Sequence, residues 1–271
     1  MSSNAEGHFS HGEDLTLAHR LADAADAITL KRYQAIDLTV TTKPDNTPVT
    51  DADKSSEEAI RALLHAHRPH DGIVGEEFGN EGVEKNRYWV IDPIDGTKNF
   101  LRGVPTWATL IALVERTPEG NQRTVVSVVS APALFRRWSA HLGGGAFVTI
   151  NHETTKRIHV SGVSKIEDAS ISYSDFAGWG EMLEPFQNLL SKAWRTRGYG
   201  DFWSHMLVAE GALEAAAEPV LALWDMAALD LIVTEAGGIF SNTDGTPGPH
   251  GGNGVSANAA LHSFIIESLR K

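Results

Sequence analysis

A chain of 271 residues, 42% of them hydrophobic, can bury a sizeable core as one large domain or as two joined halves. It has no cysteine, which excludes a disulfide scaffold and any thiolate zinc site and fits a cytoplasmic protein. The net charge of −12 excludes general affinity for nucleic acid or anionic membranes, and no apolar run approaches a membrane span.

A phosphate could therefore be bound only by local means: metal ions, a helix N-terminus or one placed arginine. Residues 1–12 are polar, lack the apolar centre of a signal peptide and are expected to form a mobile lead-in. Over 14–36, Leu15, Ala18, Leu21, Ala22, Ala25, Ile28 and Leu30 recur at helical spacing and predict a core-facing helix. Residues 38–49 predict a loop or hairpin, with Lys43-Pro44-Asp45-Asn46-Thr47-Pro48 at its tip. Val49-Thr50-Asp51-Ala52-Asp53 then opens a helix to about residue 65. Thr50 is a good N-cap, and Asp53 stands where the acid of a capping box stands. Carboxylates here also complement the helix dipole, a purely structural role. His65, His67 and His70 lack the spacing of a helical metal pair.

Gly72-Ile73-Val74-Gly75 predicts a short buried strand running into Glu76 and Glu77. The next apolar run, Trp89-Val90-Ile91, ends in Asp92-Pro93-Ile94-Asp95-Gly96-Thr97. Asp-Pro and Asp-Gly are ordinary turn formers. Two carboxylates three positions apart at the mouth of a buried strand, however, repel each other unless something positive lies between them. Oxygen-only ligands suit magnesium. Both acid-tipped strand ends could lie at one edge of a sheet. A short helix through Leu101 follows, then strands over 107–114, 125–130, 135–141 and 145–150. Gly143-Gly144-Gly145 joins two strands and opens no helix, so it predicts a hairpin turn and not a phosphate loop.

A second half is expected from about Asn151. Strands are predicted over 157–160, 170–173, 194–197 and 212–217, and helices over 181–193 and 202–211. Leu221-Ala222-Leu223-Trp224-Asp225 is an apolar stretch ending in an acid. It opens a helix to about Ala236, stopped by Gly237-Gly238. Asp225 could serve simply as the N-cap of that helix. A loop over 248–254, a strand over 254–256 and a helix over 258–269 complete the chain.

Val49-Thr50-Asp51-Ala52-Asp53, Gly75-Glu76-Glu77, Asp92-Pro93-Ile94-Asp95-Gly96-Thr97 and Trp224-Asp225-Met226-Ala227-Ala228, in this order, resemble the motifs of the inositol monophosphatase family of magnesium-dependent, lithium-sensitive phosphatases. The resemblance covers nearly the whole chain. It implies an α/β (α+β) layered sandwich: an N-terminal α+β half over 13–150, a C-terminal α/β half over 151–271, and a metal cleft between them. It also implies a homodimer. By the same resemblance, Glu76, Asp92, Asp95, Asp225 and the carbonyl of Ile94 hold two or three Mg2+ ions, and Asp53 helps hold the more weakly bound one. Thr97, with Asp53 or Glu76 nearby, orients and deprotonates the attacking water. The amides of Gly96 and Thr97 bind phosphate oxygens, and Glu76, Ile94, Asp95 and Asp225 share that end of the substrate. The physics agrees, because a phosphomonoester dianion repels a hydroxide nucleophile and metal ions offset that charge. Amides at a helix start add fixed positive dipoles.

Inositol-specific members carry small residues after the glycine that here is Gly200. This chain has Asp201 and then aromatics. Arg197-Gly198-Tyr199-Gly200-Asp201-Phe202, Ala216-Ala217-Glu218-Pro219 and Leu223-Trp224-Asp225 resemble the histidinol-phosphate phosphatase branch of the family, as does Ser130-Ala131-Pro132-Ala133-Leu134. Histidinol carries an ammonium group and an imidazole. Asp201 and Glu218 could pair with them through charge-assisted hydrogen bonds, and Arg197 would position the phosphate or the neighbouring acids. Asp201 could equally cap the helix that follows it, and Glu218 could be a plain loop acid. Inositol phosphate, or another small monoester or bisphosphate, is the alternative substrate. A non-catalytic metal-binding protein is the remaining rival; the complete acid set and Thr97 argue against it.

Overall fold

The computed structural model describes residues 9–44, 47–117 and 119–270. Most of the expected lead-in, and Asp45 and Asn46 at the hairpin tip, lie outside the described residues. In chain order, helix α1 (His11–Arg32) leads to the hairpin β1 (Val40–Thr42) and β2 (Pro48–Thr50), then to α2 (Asp51–His67). Strands β3 (Gly72–Gly75), β4 (Gly79–Glu81) and β5 (Arg87–Asp95) precede the short helix α3 (Thr97–Leu101). Strands β6 (Ala108–Arg116), β7 (Gln122–Ala131), β8 (Arg136–His141), β9 (Gly145–Ile150) and β10 (Thr154–Arg157) follow. Then come β11 (Ser170–Ser172), α4 (Leu183–Leu190), β12 (Arg195–Arg197), α5 (Asp201–Ala209), β13 (Ala215–Glu218) and α6 (Leu223–Glu235). Strands β14 (Gly238–Ser241) and β15 (Gly254–Asn258) and helix α7 (His262–Leu269) end the described chain.

The elements stack in five layers. The period-2 alternation of β5 shows how: Trp89 and Ile91 pack against Leu17, Leu21 and Ile60 of α1 and α2, while Tyr88 and Val90 face the side occupied by α5 and α6. The eight-stranded sheet runs β10-β9-β8-β7-β6-β5-β3-β4, with only β3 and β5 parallel. Beyond α5 and α6 lies the second sheet, ordered β12-β11-β13-β15-β14. Its far face is covered by α4 and α7 through Phe186, Leu189, Ile265 and Leu269. Helix α6 is buried between two sheets, so it is apolar nearly all round and has no polar stripe. The layered α/β sandwich is thus the observed fold. No helix among the described residues is long and apolar enough to cross a membrane.

Four expectations are corrected. Helix α1 begins at His11, inside the expected lead-in, because Ser10 and Glu13 form a capping box there. The strand expected over 157–160 forms at Thr154–Arg157, where it pairs with β9, so the expected division at 150/151 cuts through a hairpin. Strand β14 was not anticipated. Only pairing with β15, its edge neighbour in the sheet, makes it a strand. Asp225 is the third residue of α6 and not its N-cap: Ala222 occupies the cap position and donates its N–H to Asp225 Oδ2 at 2.7 Å.

Candidate active site

The parallel pairing of β3 with β5 sets Gly75 opposite Ile91. The next residues, Glu76 and Asp92, therefore leave the same edge of the sheet. Residues three apart on a regular strand point to opposite faces, so Asp92 and Asp95 need a break in the ladder to converge. The register with β6 shifts between Asp92 and Asp95, where Pro93 has no N–H to donate and its carbonyl accepts from Thr109 Oγ1 at 2.8 Å. Asp92 Oδ1 accepts the Ile94 N–H at 2.9 Å, which fixes the turn. Asp225 reaches the same place from the start of α6. Asp92, Asp95 and Asp225 each present a carboxylate oxygen, and the three lie within 4.8 Å of one another.

Such a cluster cannot stay ionised unaided. Desolvation first, then the charges of Glu76, Asp95 and Asp225, pushes the Asp92 carboxyl well above the usual carboxylate range. Asp95 is pushed up well above that range too, by desolvation and then by Asp201 and Asp225. Asp225 rises to about 6, mainly by burial and further through Glu76. A divalent cation is the group that would let all three ionise together. An oxygen-only donor set fits a hard ion such as Mg2+.

Around the cluster, Asp53 divides its two oxygens between two roles. Oδ2 closes the capping box of α2, accepting from the Thr50 N–H at 2.8 Å and from Thr50 Oγ1 at 2.5 Å. Oδ1 lies 3.4 Å from Thr97 Oγ1, which is also 3.0 Å from the Ile94 carbonyl. Burial raises Asp53 to about 6 against the pull of the Thr50 hydrogen bonds. Glu76 and Glu77 accept Lys43 Nζ at 2.7 and 2.6 Å. Glu57, buried on α2, takes the Glu77 and Phe78 N–H groups at 2.8 and 3.3 Å and so anchors this turn. Gly75 allows that approach, since a Cβ there would meet Glu57 Oε1 at 1.9 Å. Gly96 has φ +82°, and a Cβ on it would meet the Thr106 carbonyl at 2.9 Å and Asp201 Oδ2 at 3.3 Å.

A cavity of about 460 Å³ opens beside Asp95 and Asp225, with Asp201 and Glu218 in its wall. Asp201 is the first residue of α5 and sits at φ +49°, rare for a non-glycine residue. Its side chain does not cap the helix. Oδ2 accepts from Asn99 Nδ2 at 3.0 Å, and the Asp201 N–H donates to Ser174 Oγ at 3.1 Å. Ser174 Oγ in turn donates to Glu218 Oε1 at 2.8 Å. Glu218 is buried at the end of β13, not on a loop, and burial raises it to about 8. Arg197 is not brought into this cavity. It lies exposed on the edge strand β12 and donates to the Thr196 carbonyl at 2.7 Å.

Sequence reasoning missed Lys43, Asn99, Ser174 and Asp175. Asn99 could have been suspected from its place one turn after Asp95. Ser174 and Asp175 follow β11, which lies parallel to β13 with Ser172 opposite Ala216, so they emerge beside Glu218.

The layered fold and the carboxylate cluster define a metal-dependent phosphomonoester hydrolase. The model of the inositol monophosphatase family matches residues 12–271, and the chain belongs to that family. It is 55% identical to a histidinol-phosphatase of Streptomyces coelicolor over 96% of this chain and 97% of that one. It is 50% identical to a histidinol-phosphatase of Mycobacterium tuberculosis over 95% of this chain and 98% of that one. Among solved structures, an inositol monophosphatase from Zymomonas mobilis superposes with a TM-score of 0.83 at 31% identity, covering 97% of this chain and all (100%) of that one.

Proposed function

We propose that the protein hydrolyses L-histidinol phosphate to L-histidinol and inorganic phosphate, a step of histidine biosynthesis. The observation that carries this is one cavity with two chemistries. Among its lining acids, a first pair, Asp95 and Asp225, belongs to the carboxylate cluster, and a second pair, Asp201 and Glu218, does not. A phosphate directed to the first and an ammonium group directed to the second describe an amino phosphomonoester. The names of the two relatives at 55% and 50% identity support the same substrate.

Glu76, Asp92, Asp95, Asp225 and the Ile94 carbonyl would hold two or three Mg2+ ions, with Asp53 helping to hold the weakest. When bound, the ions supply charge neutralisation, a water of lowered pKa and stabilisation of the leaving alkoxide. Thr97 Oγ1 orients the attacking water, and Asp53 Oδ1 or Glu76 takes up its proton. The N–H groups of Gly96 and Thr97 donate to phosphate oxygens. Asp201 and Glu218 hold the cationic end of the substrate. A homodimer and a cytoplasmic location belong to the same proposal; the first rests on the family, the second is supported by the absence of cysteine.

The test is phosphate release by the purified protein with Mg2+ on histidinol phosphate, inositol 1-phosphate and glycerol phosphate, joined to growth rescue of a histidine auxotroph that lacks its own histidinol-phosphate phosphatase. Preference for histidinol phosphate and rescue are expected. Preference for inositol 1-phosphate, or soluble protein that fails to rescue, would overturn the assignment.

A further inference from the structure

One part of the cavity wall is the segment 174–178, which follows β11 and places a further acid there. Asp175 lines the cavity together with Asp201 and Glu218. Although the segment is exposed, this side chain is held. Asp175 Oδ1 accepts the Ala177 N–H at 2.6 Å, and the Asp175 carbonyl accepts from Trp179 Nε1 at 3.2 Å. Trp179 is buried and stacks on Phe186 with ring centroids 3.6 Å apart, tying the wall to α4. The charge of Asp175 reaches both neighbours: it adds to the rise that burial imposes on Asp201 and on Glu218. Against these acids, Lys98 is the only lysine or arginine among the described residues lining the cavity.

A second feature, independent of the acids, points to a ligand. His205 also lines the cavity, and only 1% of its surface is exposed. Its Nδ1 lies 2.7 Å from Ser256 Oγ, while Nε2 has no hydrogen-bond partner among the described residues. Buried polar atoms are nearly always paired, so the unpaired ring nitrogen of this cavity-lining residue is a hydrogen-bonding group for which the described residues supply no partner.

We infer that Asp175 is a specificity-determining residue, the third carboxylate, with Asp201 and Glu218, of a cage for the ammonium group of the substrate. This rests on the proposed reading of the site and narrows it. The favoured class is a phosphomonoester whose amino group stands on the carbon next to the ester carbon, close enough to reach the cage while the phosphate reaches Asp95. Histidinol phosphate has that arrangement. Inositol and glycerol phosphates carry hydroxyls in its place. Three acids around a cation give charge-assisted hydrogen bonds that a hydroxyl cannot match.

The test compares wild type, Asp175→Asn and Asp175→Glu, each with Mg2+, on histidinol phosphate and on glycerol phosphate. Asparagine keeps the Oδ1 acceptor for Ala177 and removes only the charge, so the wall should hold and the melting temperature should stay within about 2 °C, the shift expected from a change well under 1 kcal/mol. The wild-type preference for histidinol phosphate, read as a ratio of kcat/KM, should fall about tenfold in Asp175→Asn, equivalent to about 1.4 kcal/mol. The loss should fall on KM for the ammonium substrate and be partly restored by Asp175→Glu. A preference that survives Asp175→Asn overturns the inference and leaves the proposed function standing. A wild-type enzyme with no preference for histidinol phosphate overturns both.

Discussion

The backbone N–H of Phe202 lies 2.6 Å from Oδ2 of Asp95. A carboxylate of the metal cluster is therefore held by the first turn of α5, the same turn that carries Asp201 into the cavity. The bond ties the end of β5 to the start of α5, so the carboxylate cluster and the cavity wall that carries Asp201 are built as one unit. Hydrogen bonds to an ionised acceptor are among the stronger ones.

Asp95→Asn should abolish that link in function but not in fold. Turnover should fall more than about a hundredfold, because a proposed metal ligand is lost. The metal-free variant should be no less stable than wild type, since desolvation and like charges already disfavour the ionised carboxyl. Thermal melts offer a check that does not depend on activity. Mg2+ at about 100 times its Kd should stabilise the wild type by about 2.7 kcal/mol, reversibly with chelator, and the variant much less. Near-normal turnover of the variant at saturating Mg2+ would remove Asp95 from the ligand set.

Asp201→Ala should raise KM for histidinol phosphate far more than for a neutral phosphomonoester, by about tenfold or more for the loss of one charge-assisted hydrogen bond. Steady-state kinetics on the two substrates decide it. Equal effects on both would mean that Asp201 serves only to set the start of α5.

Gly75→Ala should damage the proposed metal site without altering any of its proposed ligands. The new Cβ would meet Glu57 Oε1 at 1.9 Å and Arg61 Nη2 at 2.7 Å, displacing the acid that fixes the turn after β3. Overpacking of this kind costs about 1–3 kcal/mol. Urea unfolding and Mg2+ titration should show lower stability and weaker metal binding together. Unaltered metal affinity would mean that the turn relaxes without moving Glu76.

His205 makes stability fall in mild acid. Its buried ring is held neutral, with its pKa lowered from 6.5 to about 4 by desolvation. Below pH 6.5 the unfolded chain takes up a proton that the folded ring refuses, so this contribution is complete above that pH and is lost as pH falls towards 4. Between pH 7 and 5 the loss is about 2 kcal/mol. His205→Gln should remove that much of the pH dependence in urea unfolding, measured against wild type. An identical slope in both would show that His205 does not titrate in this range.

Much of the carboxylate cluster was readable from local chemistry. Glu76, Asp92 and Asp95 stand at the ends of short apolar runs, and those runs become β3 and β5 because their residues suit a buried strand. Thr50 and Asp53 announced a capping box, and the box is there. Arg197 was expected, from the resemblance, to position the phosphate or the neighbouring acids, whereas its strand lies at a sheet edge and leaves it exposed. Asp201 was legible as an acid at a helix start, with a substrate role and a capping role both open. A cap and a cavity acid have the same sequence signature and differ only in what lies across the gap, here Asn99 and Ser174.

The sequence by itself determined the acid-tipped strands and the helix that Asp225 enters, because each depends on residues within a few positions of one another; the family's reaction was legible only through the resemblance of several such motifs taken together. Tertiary structure alone decided that a ladder shift between Asp92 and Asp95 turns both inward, that α6 is clasped between two sheets, and that Asn99, Ser174 and Asp175 gather around Asp201 and Glu218. The Asn99–Asp201 hydrogen bond alone spans 102 residues of chain. No local propensity encodes such distances; they follow from how the two sheets close on α5 and α6.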